Sequence, residues 1–567
     1  MGIAQAKENQ FTPPTWLVIG LAGCIIALEA VVFLFPSPVE FPMDDAYIHF
    51  VYADNLISHG RLFFSDVNET GVGATSPLWV FLLAGLKLLG IPLPVSAKIM
   101  GAIGLVVVSG TIYVLFRPVW NSPFLLLSVF LITISGNLVW FSLSGMETVL
   151  FVALGLLSLV AYRRERWKTL GVLFGLMILT RPEGLVLAGA TVLVDLRRNR
   201  RLRREWSTPL LISIVMAAPW FIYLYMRTGY VLPSSAIGKR FTFTVGLDFI
   251  ASQYPYLAGL VQLRPLVYPF AWLAYLLVFA LGGKSLPPPF VSRGDYSFGI
   301  YSYAPSYWAI AGWLLVIIPL LLLAGRHLLG GKKWRPWIHD SNHAPLMVFT
   351  VWILLHNLAY MFFMPILGTA SRYGVMNHVA LWIFLCIGAA QLSQRIPLQR
   401  FMTAGLVLIA LANTFYWNRV YDANIEHMQK VRIPTADFVR ESFSRNELCA
   451  VFDIGAVRYF SGRPILDIGG LTNPDDLHWF SENKSDIYLL EKGATCIILP
   501  GQTSMQGEGW LDFVEVFGLG NTRYFKLEKS ASFEMNSERW LLGYLPTTNQ
   551  QRSVIIYRIV RTDRAFP

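Results

Sequence analysis

Phe41–Leu56 reads FPMDDAYIHFVYADNL, and the placement of its two adjacent carboxylates decides how the rest of the chain is read. Asp44 and Asp45 follow directly on an apolar run, at what should be the water-exposed end of a membrane helix. Pro42 disfavours helix at Phe41. From Asp44 onward no Gly or Pro occurs until Gly60, which predicts a helix of about four turns. Asp44 falls at or near its N-cap, where a carboxylate accepts bonds from free N–H groups and the helix dipole favours its ionised form. Asp45, His49 and Tyr52 fall at i, i+4 and i+7, along one face. Two readings follow: Asp44 caps a helix and Asp45 is solvated, or the pair is held at a membrane surface facing a lipid-borne substrate.

The composition favours the second. Of 567 residues, 54% are hydrophobic and 14% charged, with a mean hydropathy of +0.50; a soluble domain carries roughly 25% charged residues. Several apolar runs reach the length that crosses a bilayer, about 20 residues. A net charge of +11 could suggest a nucleic-acid partner. The Lys and Arg instead cluster in short loops between apolar runs, which is the positive-inside pattern. Cys24 and Cys386 lie in apolar spans. Cys449 and Cys496 lie in the polar C-terminal part, where a disulfide is an option if that part is extracytoplasmic. No C-x-x-C or His-x-x-x-His spacing points to zinc, and no G-x-x-x-x-G-K-[ST] loop to an ATPase.

The fold class expected is a polytopic α-helical membrane protein with about eleven transmembrane helices and a C-terminal extracytoplasmic α/β domain. Trp16–Phe35 reads as a signal anchor. Glu29 within it faces a polar interior or snorkels to the interface. Residues 36–94 form a long first outer loop. In it Thr75–Gly90 lies along the interface, because RRERWK (Arg163–Lys168) and RRNRRLRR (Arg197–Arg204) must both be cytoplasmic. Further spans are expected near 95–116, 122–141, 146–162, 168–180, 184–196, 207–226, 305–325, 346–364, 373–394 and 400–418. The segment 245–304 stays open, as a re-entrant stretch or a pair of crossings. The division is thus a transmembrane catalytic domain, 1–419, and an outer domain, 420–567. In the latter CAVFDIG, PILDIGG, TCIILPG and SVIIYRIV read as buried strands and DLHWFSENKSDIYLLEKG as a helix.

This topology gathers several polar motifs on the outer side. They are the Asp44–Asp45 pair, SGMET (Ser144–Thr148) with Glu147, and TRPEG (Thr180–Gly184) with Arg181 and Glu183. LPSSAIGKR adds Lys239 and Arg240, and TASRYG (Thr369–Gly374) adds Arg372 and Tyr373, with His378 a turn deeper. Each has a plainer role: snorkelling for Arg181 and Arg372, helix capping for Glu147, unspecific lipid-phosphate contact for Lys239 and Arg240, core packing for His378. Their convergence favours a site. The chemistry such groups suit is attack on a phosphate-linked carbon. A carboxylate takes a proton from an alcohol, and cations stabilise the departing phosphate.

The run DDAYIHFVYADNLISHGRLFFSDVNETGVGATSPLW resembles the first outer loop of bacterial GT-C glycosyltransferases, above all the mycobacterial terminal β-(1→2)-arabinofuranosyltransferase family. SGMET, TRPEG, LPSSAIGKR and SRYG resemble that group's later motifs in the same order, and VFDIGAVRYFSGRPILDIGGLTNPD the start of its outer domain. Ser234 departs from the Asn that relatives often carry after the Pro of the third motif. The resemblance implies an inverting transferase in a bacterial cytoplasmic membrane, moving a sugar from a polyprenyl-phosphate donor to a cell-envelope glycan in cell wall biogenesis. Asp44 would be the catalytic base or orienter, and Asp45 its partner or a cation ligand. Arg372, Lys239, Arg240 and Arg181 would hold the donor phosphate, with His49, Tyr52, Glu147, Glu183, Tyr373 and His378 around the substrates. Some members use a divalent cation (Mg, Mn or Ca) at the acidic motif, which two carboxylates would suit without demanding it. The competing class is a lipid-linked glycan transporter with an outer glycan-binding domain.

Overall fold

The computed structural model describes residues 13–35, 37–65, 72–120, 122–235, 238, 259, 269, 272, 313–329, 340–363, 369–392, 395–472, 477–482, 484–501, 513–520, 522–535 and 553–563. Lys239 and Arg240, and almost all of 245–304, fall outside these residues.

The helices in the first half are α1 (Thr15–Leu34), α2 (Asp44–His59), α3 (Pro77–Leu88), α4 (Leu93–Phe116), α5 (Pro123–Thr133), α6 (Gly136–Leu143), α7 (Thr148–Arg163), α8 (Trp167–Thr180), α9 (Gly184–Asn199) and α10 (Ser207–Thr228). Later helices include Ile318–Leu329, Ala344–Phe363, Val375–Ala390, Ile396–His427 and Ile433–Ser442. Among the described residues, six helices are long and apolar enough to cross a membrane, or seven if α5 and α6, bent by 48°, count as one. Seven of the expected spans reach this length when α5 and α6 count as one, and shorter helices, α7, α8, α9 and Ile318–Leu329, lie at the other four. At 16, 14 and 16 residues, α7, α8 and α9 are about 21–24 Å long against a hydrocarbon core of about 30 Å. The polar motifs explain the shortening, since SGMET separates α6 from α7 and TRPEG separates α8 from α9.

The α5–α6 bend is held from outside. The carbonyl of Ile134, freed at the break, accepts the hydroxyl of Thr414. Gly136 lies so close to the Ile396–His427 helix that an added Cβ would stand 2.5 Å from the Thr414 Cα. Ser76 caps α3 by accepting the N–H of Trp79 at 3.4 Å. At 12 residues, α3 spans about 18 Å and is too short to cross.

α2 matches its expected bounds. It starts after the extended Met43 and stops at Gly60, whose left-handed φ of 66° a residue with a side chain rarely adopts. Asp44 does not cap it, because the N-cap is Met43 and Asp44 is already helical.

The four short apolar runs near the C-terminus are strands. β1 (Leu448–Val451), β2 (Ile465–Asp467), β3 (Ala494–Pro500), β4 (Phe525–Glu534) and β5 (Ser553–Arg561) form one sheet in the order β2-β1-β3-β5-β4. β2, β1 and β3 run parallel, and β5 and β4 add antiparallel. β1 is buried along its whole length, as a covered parallel strand requires. Cys449 and Cys496 face each other across β1 and β3 and are disulfide-bonded. β4 escapes the apolar-run criterion because its residues are mostly polar and exposed. The helix expected after β2 is two short ones, Leu477–Ser481 and Ser485–Glu491.

The sheet region is fastened to the first loop. Ser65 Oγ donates to the Ile465 carbonyl at 2.8 Å and accepts the Ile465 N–H at 3.1 Å. Arg458 Nε donates to the Phe64 carbonyl at 3.2 Å. The Tyr47 ring packs on Tyr459 and Phe460.

Candidate active site

The turn after β2 of the sheet and three helix-breaking motifs meet α2 at one cavity. Asp45, His49 and Ile48 of α2 line it, with Met146 and Glu147 from SGMET, Arg181 from TRPEG, Arg372 and Tyr373 from TASRYG, Gly73 and Thr75 from the first loop, Ser235 after α10, and Leu471 from the sheet region. Helix breaks expose backbone and let side chains from distant segments point to one place.

Its charges are arranged in pairs. Arg372 donates to the Asp45 carboxylate, and the same nitrogen lies 3.3 Å from the Tyr373 hydroxyl. Arg181 Nε lies 3.2 Å from Glu147 Oε1, and His49 Nε2 lies 3.6 Å from Glu147 Oε2. Glu147, Arg181, Arg372 and His49 are all buried. Both cations lie against the Tyr373 ring, with the guanidinium carbon of Arg181 4.7 Å and that of Arg372 5.2 Å from its centroid. Tyr373 is itself stacked on Tyr360 at 5.5 Å, and its carbonyl is hydrogen-bonded to His356 Nε2 at 2.7 Å. Positive charge over a π-face, rigidly backed, fixes the direction in which each guanidinium points.

Of the residues expected at the site, Asp45, His49, Glu147, Arg181, Arg372 and Tyr373 come together. The others sit elsewhere. Asp44 turns away from the cavity: its two oxygens accept the N–H groups of Gly455 at 2.7 Å and Ala456 at 2.8 Å. It therefore caps the helix Ile454–Ser461 instead of its own. Its carboxyl stands raised at about 6, chiefly through burial, with Arg432 pulling it down and Asp453 pushing it up. Tyr52 is buried, and its hydroxyl accepts the Gly73 N–H at 2.7 Å, which fixes the loop that lines the cavity. Glu183 does not line the cavity; it accepts the Tyr360 hydroxyl and serves as a counter-charge of Arg181 from behind. His378 is a core residue, hydrogen-bonded to Asn137 at 2.6 Å and packed on Phe141. Lys239 and Arg240 lie outside the described residues.

Six lining residues were not singled out, Ile48, Gly73, Thr75, Met146, Ser235 and Leu471, and two of them show why. Ser235 stands in a motif read for its cations, and nothing in the sequence marks one serine of the pair. Leu471 comes from a turn more than 400 residues from α2, which no local pattern can place. The turn is held by Asp467, whose carboxylate accepts the N–H of Gly469 at 2.8 Å and the N–H and hydroxyl of Thr472 at 2.6 and 2.9 Å. Burial pushes the Asp467 carboxyl up to about 6 against these bonds. The turn's backbone abuts two glycines. A Cβ on Gly73 would lie 2.5 Å from the Leu471 carbonyl oxygen, and one on Gly238 would run into the Gly470 carbonyl.

The acidic motif does not fit a divalent cation as arranged. The Asp44 oxygens are directed at backbone N–H groups and Asp45 at a guanidinium. No group of three or more His, Cys, Asp or Glu converges among the described residues.

Comparisons with known proteins bear on the fold. A family model described as "Domain of unknown function (DUF8728)" matches residues 422–556. No curated protein matches the sequence. Among solved structures, the oligosaccharyltransferase of Archaeoglobus fulgidus is similar with a TM-score of 0.50 and 12% identity, over 86% of this chain and 70% of that one. ArnT from Cupriavidus metallidurans is similar with a TM-score of 0.50 and 12% identity, over 95% of this chain and 98% of that one, both in the apo state and bound to undecaprenyl phosphate. At this identity the likeness is one of fold, which the chain shares with these two proteins.

Proposed function

We propose that the chain is an inverting glycosyltransferase that takes a sugar from a polyprenyl phosphate and passes it to a cell-envelope glycan at the outer face of the membrane. The observation that carries this is the cavity in which Asp45 stands against Arg372, with Arg181 against the same Tyr373 ring. A base and two fixed cations are what transfer from a sugar phosphate requires.

In the reaction the acceptor hydroxyl attacks the anomeric carbon from the face opposite the phosphate. Asp45 takes the hydroxyl proton as the new C–O bond forms. The bond between the anomeric carbon and the phosphate oxygen breaks, and the electron pair leaves with the polyprenyl phosphate. Arg372 and Arg181 meet that growing charge in a buried setting, where fixed cations act most strongly. Lys239 and Arg240 are further candidates for the lipid phosphate. His49 and Glu147 border the sugar. Asp44 holds the outer α/β region, residues 420–567, against α2.

An extracytoplasmic site is supported by the basic loops Arg163–Lys168 and Arg197–Arg204, which belong inside, and by the Cys449–Cys496 disulfide, a bond favoured in oxidising compartments. Arabinofuranose is the sugar suggested by the first-loop motif, and the undecaprenyl phosphate in ArnT is in line with a polyprenyl carrier.

The test is transfer from polyprenyl-phosphate arabinofuranose to a short arabinan by the purified full chain. Product is expected with the wild type and a loss of about 100- to 10,000-fold with Asp45→Asn. Translocation of lipid-linked glycan in sealed vesicles without a new glycosidic bond would replace this reading with transport.

A further inference from the structure

Arg372 carries more donors than its surroundings use. Its Nη2 serves Asp45 and Tyr373, and its Nη1 reaches only the Met43 Sδ, at 3.9 Å. Its Nε is buried and meets no acceptor among the described residues. The Ser235 hydroxyl on the same cavity is in the same condition, in a residue 4% exposed. Buried donors without acceptors are costly, and a native structure tolerates them where a ligand supplies the missing atoms. At the same time the carboxylate assigned as base is covered by the cation assigned to the phosphate. In this form the site is neutralised from within, and its base is tied up.

We propose that Ser235 Oγ and Arg372 Nε form the seat of the lipid phosphate, and that the phosphate draws the Arg372 guanidinium off Asp45 as the donor takes its place. The inference rests on the glycosyl-transfer reading and adds to it a binding residue and an exchange of partners.

The physical chemistry runs in one direction. A guanidinium fork matches phosphate oxygens as well as it matches a carboxylate. The phosphate brings its own negative charge and also fills the two unmatched donors, which Asp45 leaves unfilled. Once Arg372 has turned to the phosphate, Asp45 has lost that cation and stands beside an anion. Both changes raise its affinity for a proton, which is what a general base needs. Arg181 keeps Glu147 and Glu183 as counter-charges throughout, so the exchange falls on Arg372.

The experiment titrates the purified full-length protein with undecaprenyl phosphate and follows tryptophan fluorescence, with melting temperature as the check on folding. Asp45→Asn is expected to bind about fivefold more tightly than wild type, because the ligand no longer competes with a carboxylate, while transfer is lost. Ser235→Ala is expected to bind about fivefold more weakly, and Ser234→Ala, one residue from the cavity lining, as wild type does. Should Asp45→Asn unfold, Asp45→Ser is the second neutral replacement and carries the same expectation. Unchanged or weaker binding by the folded neutral variant overturns the exchange. Wild-type binding by Ser235→Ala overturns the seat. Arg372→Ala separates the two levels. If it binds like wild type, the phosphate is elsewhere and the functional reading itself fails; if it loses binding while Asp45→Asn shows no gain, only the present inference fails.

Discussion

Asp44 and Asp45 are adjacent on α2, yet their carboxylates serve different parts of the molecule. Asp44 holds the N-terminus of the helix Ile454–Ser461 through Gly455 and Ala456, while Asp45 pairs with Arg372 inside the cavity. Successive residues on a helix point about 100° apart, so one dipeptide joins the sheet region to the site. The two should separate cleanly in mutants. Asp44→Ala loses two charge-assisted N–H bonds and should lower stability by about 1–3 kcal/mol, read as a fall in melting temperature, with lipid-phosphate affinity nearly unchanged. Asp45→Asn should instead abolish transfer with little loss of stability. An Asp44→Ala protein that melts like wild type but is inactive would return Asp44 to the chemistry.

The same docking has a pH signature. Asp44 and Asp467 both have carboxyls raised to about 6 by burial in the folded protein, against an ordinary value of about 3.9 when unfolded. The folded state therefore binds more protons between pH 4 and 6, and stability contributed by these groups falls as pH rises through that window. Melting temperature measured from pH 4.5 to 7.5 should decline with pH. Asp467→Asn should flatten that slope. A wild-type curve that climbs through the window would contradict both assignments.

Gly73→Ala should loosen the roof of the cavity. The added methyl would stand 2.5 Å from the Leu471 carbonyl oxygen, a backbone atom that cannot rotate away. Overpacking of this kind costs about 1–3 kcal/mol. The expected result is a lower melting temperature together with a raised KM for the acceptor, measured by initial rates. Gly85→Ala, on α3 with open space around it, should show neither.

His378→Gln should keep most of the activity. The histidine is buried and hydrogen-bonded to Asn137, so the substitution should cost stability of about 1–2 kcal/mol while kcat stays within about threefold of wild type, since the loss of a working acid or base typically costs 100-fold or more. A kcat loss of that size with an unchanged melting temperature would place His378 in the reaction.

The sequence made the local features readable. α2 could be bounded from Pro42 and Gly60, and the parallel strands from short apolar runs, because backbone preference and burial act over a few residues. Six cavity residues could also be named, since a buried Arg or Glu in an apolar chain has few other uses. What it could not supply was direction. Asp44 and Asp45 have the same chemistry and the same local context, and only the position of Gly455, over 400 residues away, sends one of them outward. His378 and Glu183 look like site residues for the same reason that Arg181 does, and tertiary packing alone gives them Asn137 and Tyr360 as partners. Four of the expected spans fall on helices shorter than a crossing, and at α7, α8 and α9 this is because the motifs that build the cavity also end those helices.

The close approach of Gly73 and Gly238 to the Gly469–Thr472 turn has a consequence for grafting. Three strands of main chain, from the first loop, from the segment after α10 and from the sheet region, touch at one point with no side chains as cushions. A sheet region taken from a related protein will seat on this scaffold only if its turn follows the same path to within a fraction of an ångström, so chimaeras should succeed or fail as a set of three segments and never by exchange of the last 150 or so residues alone.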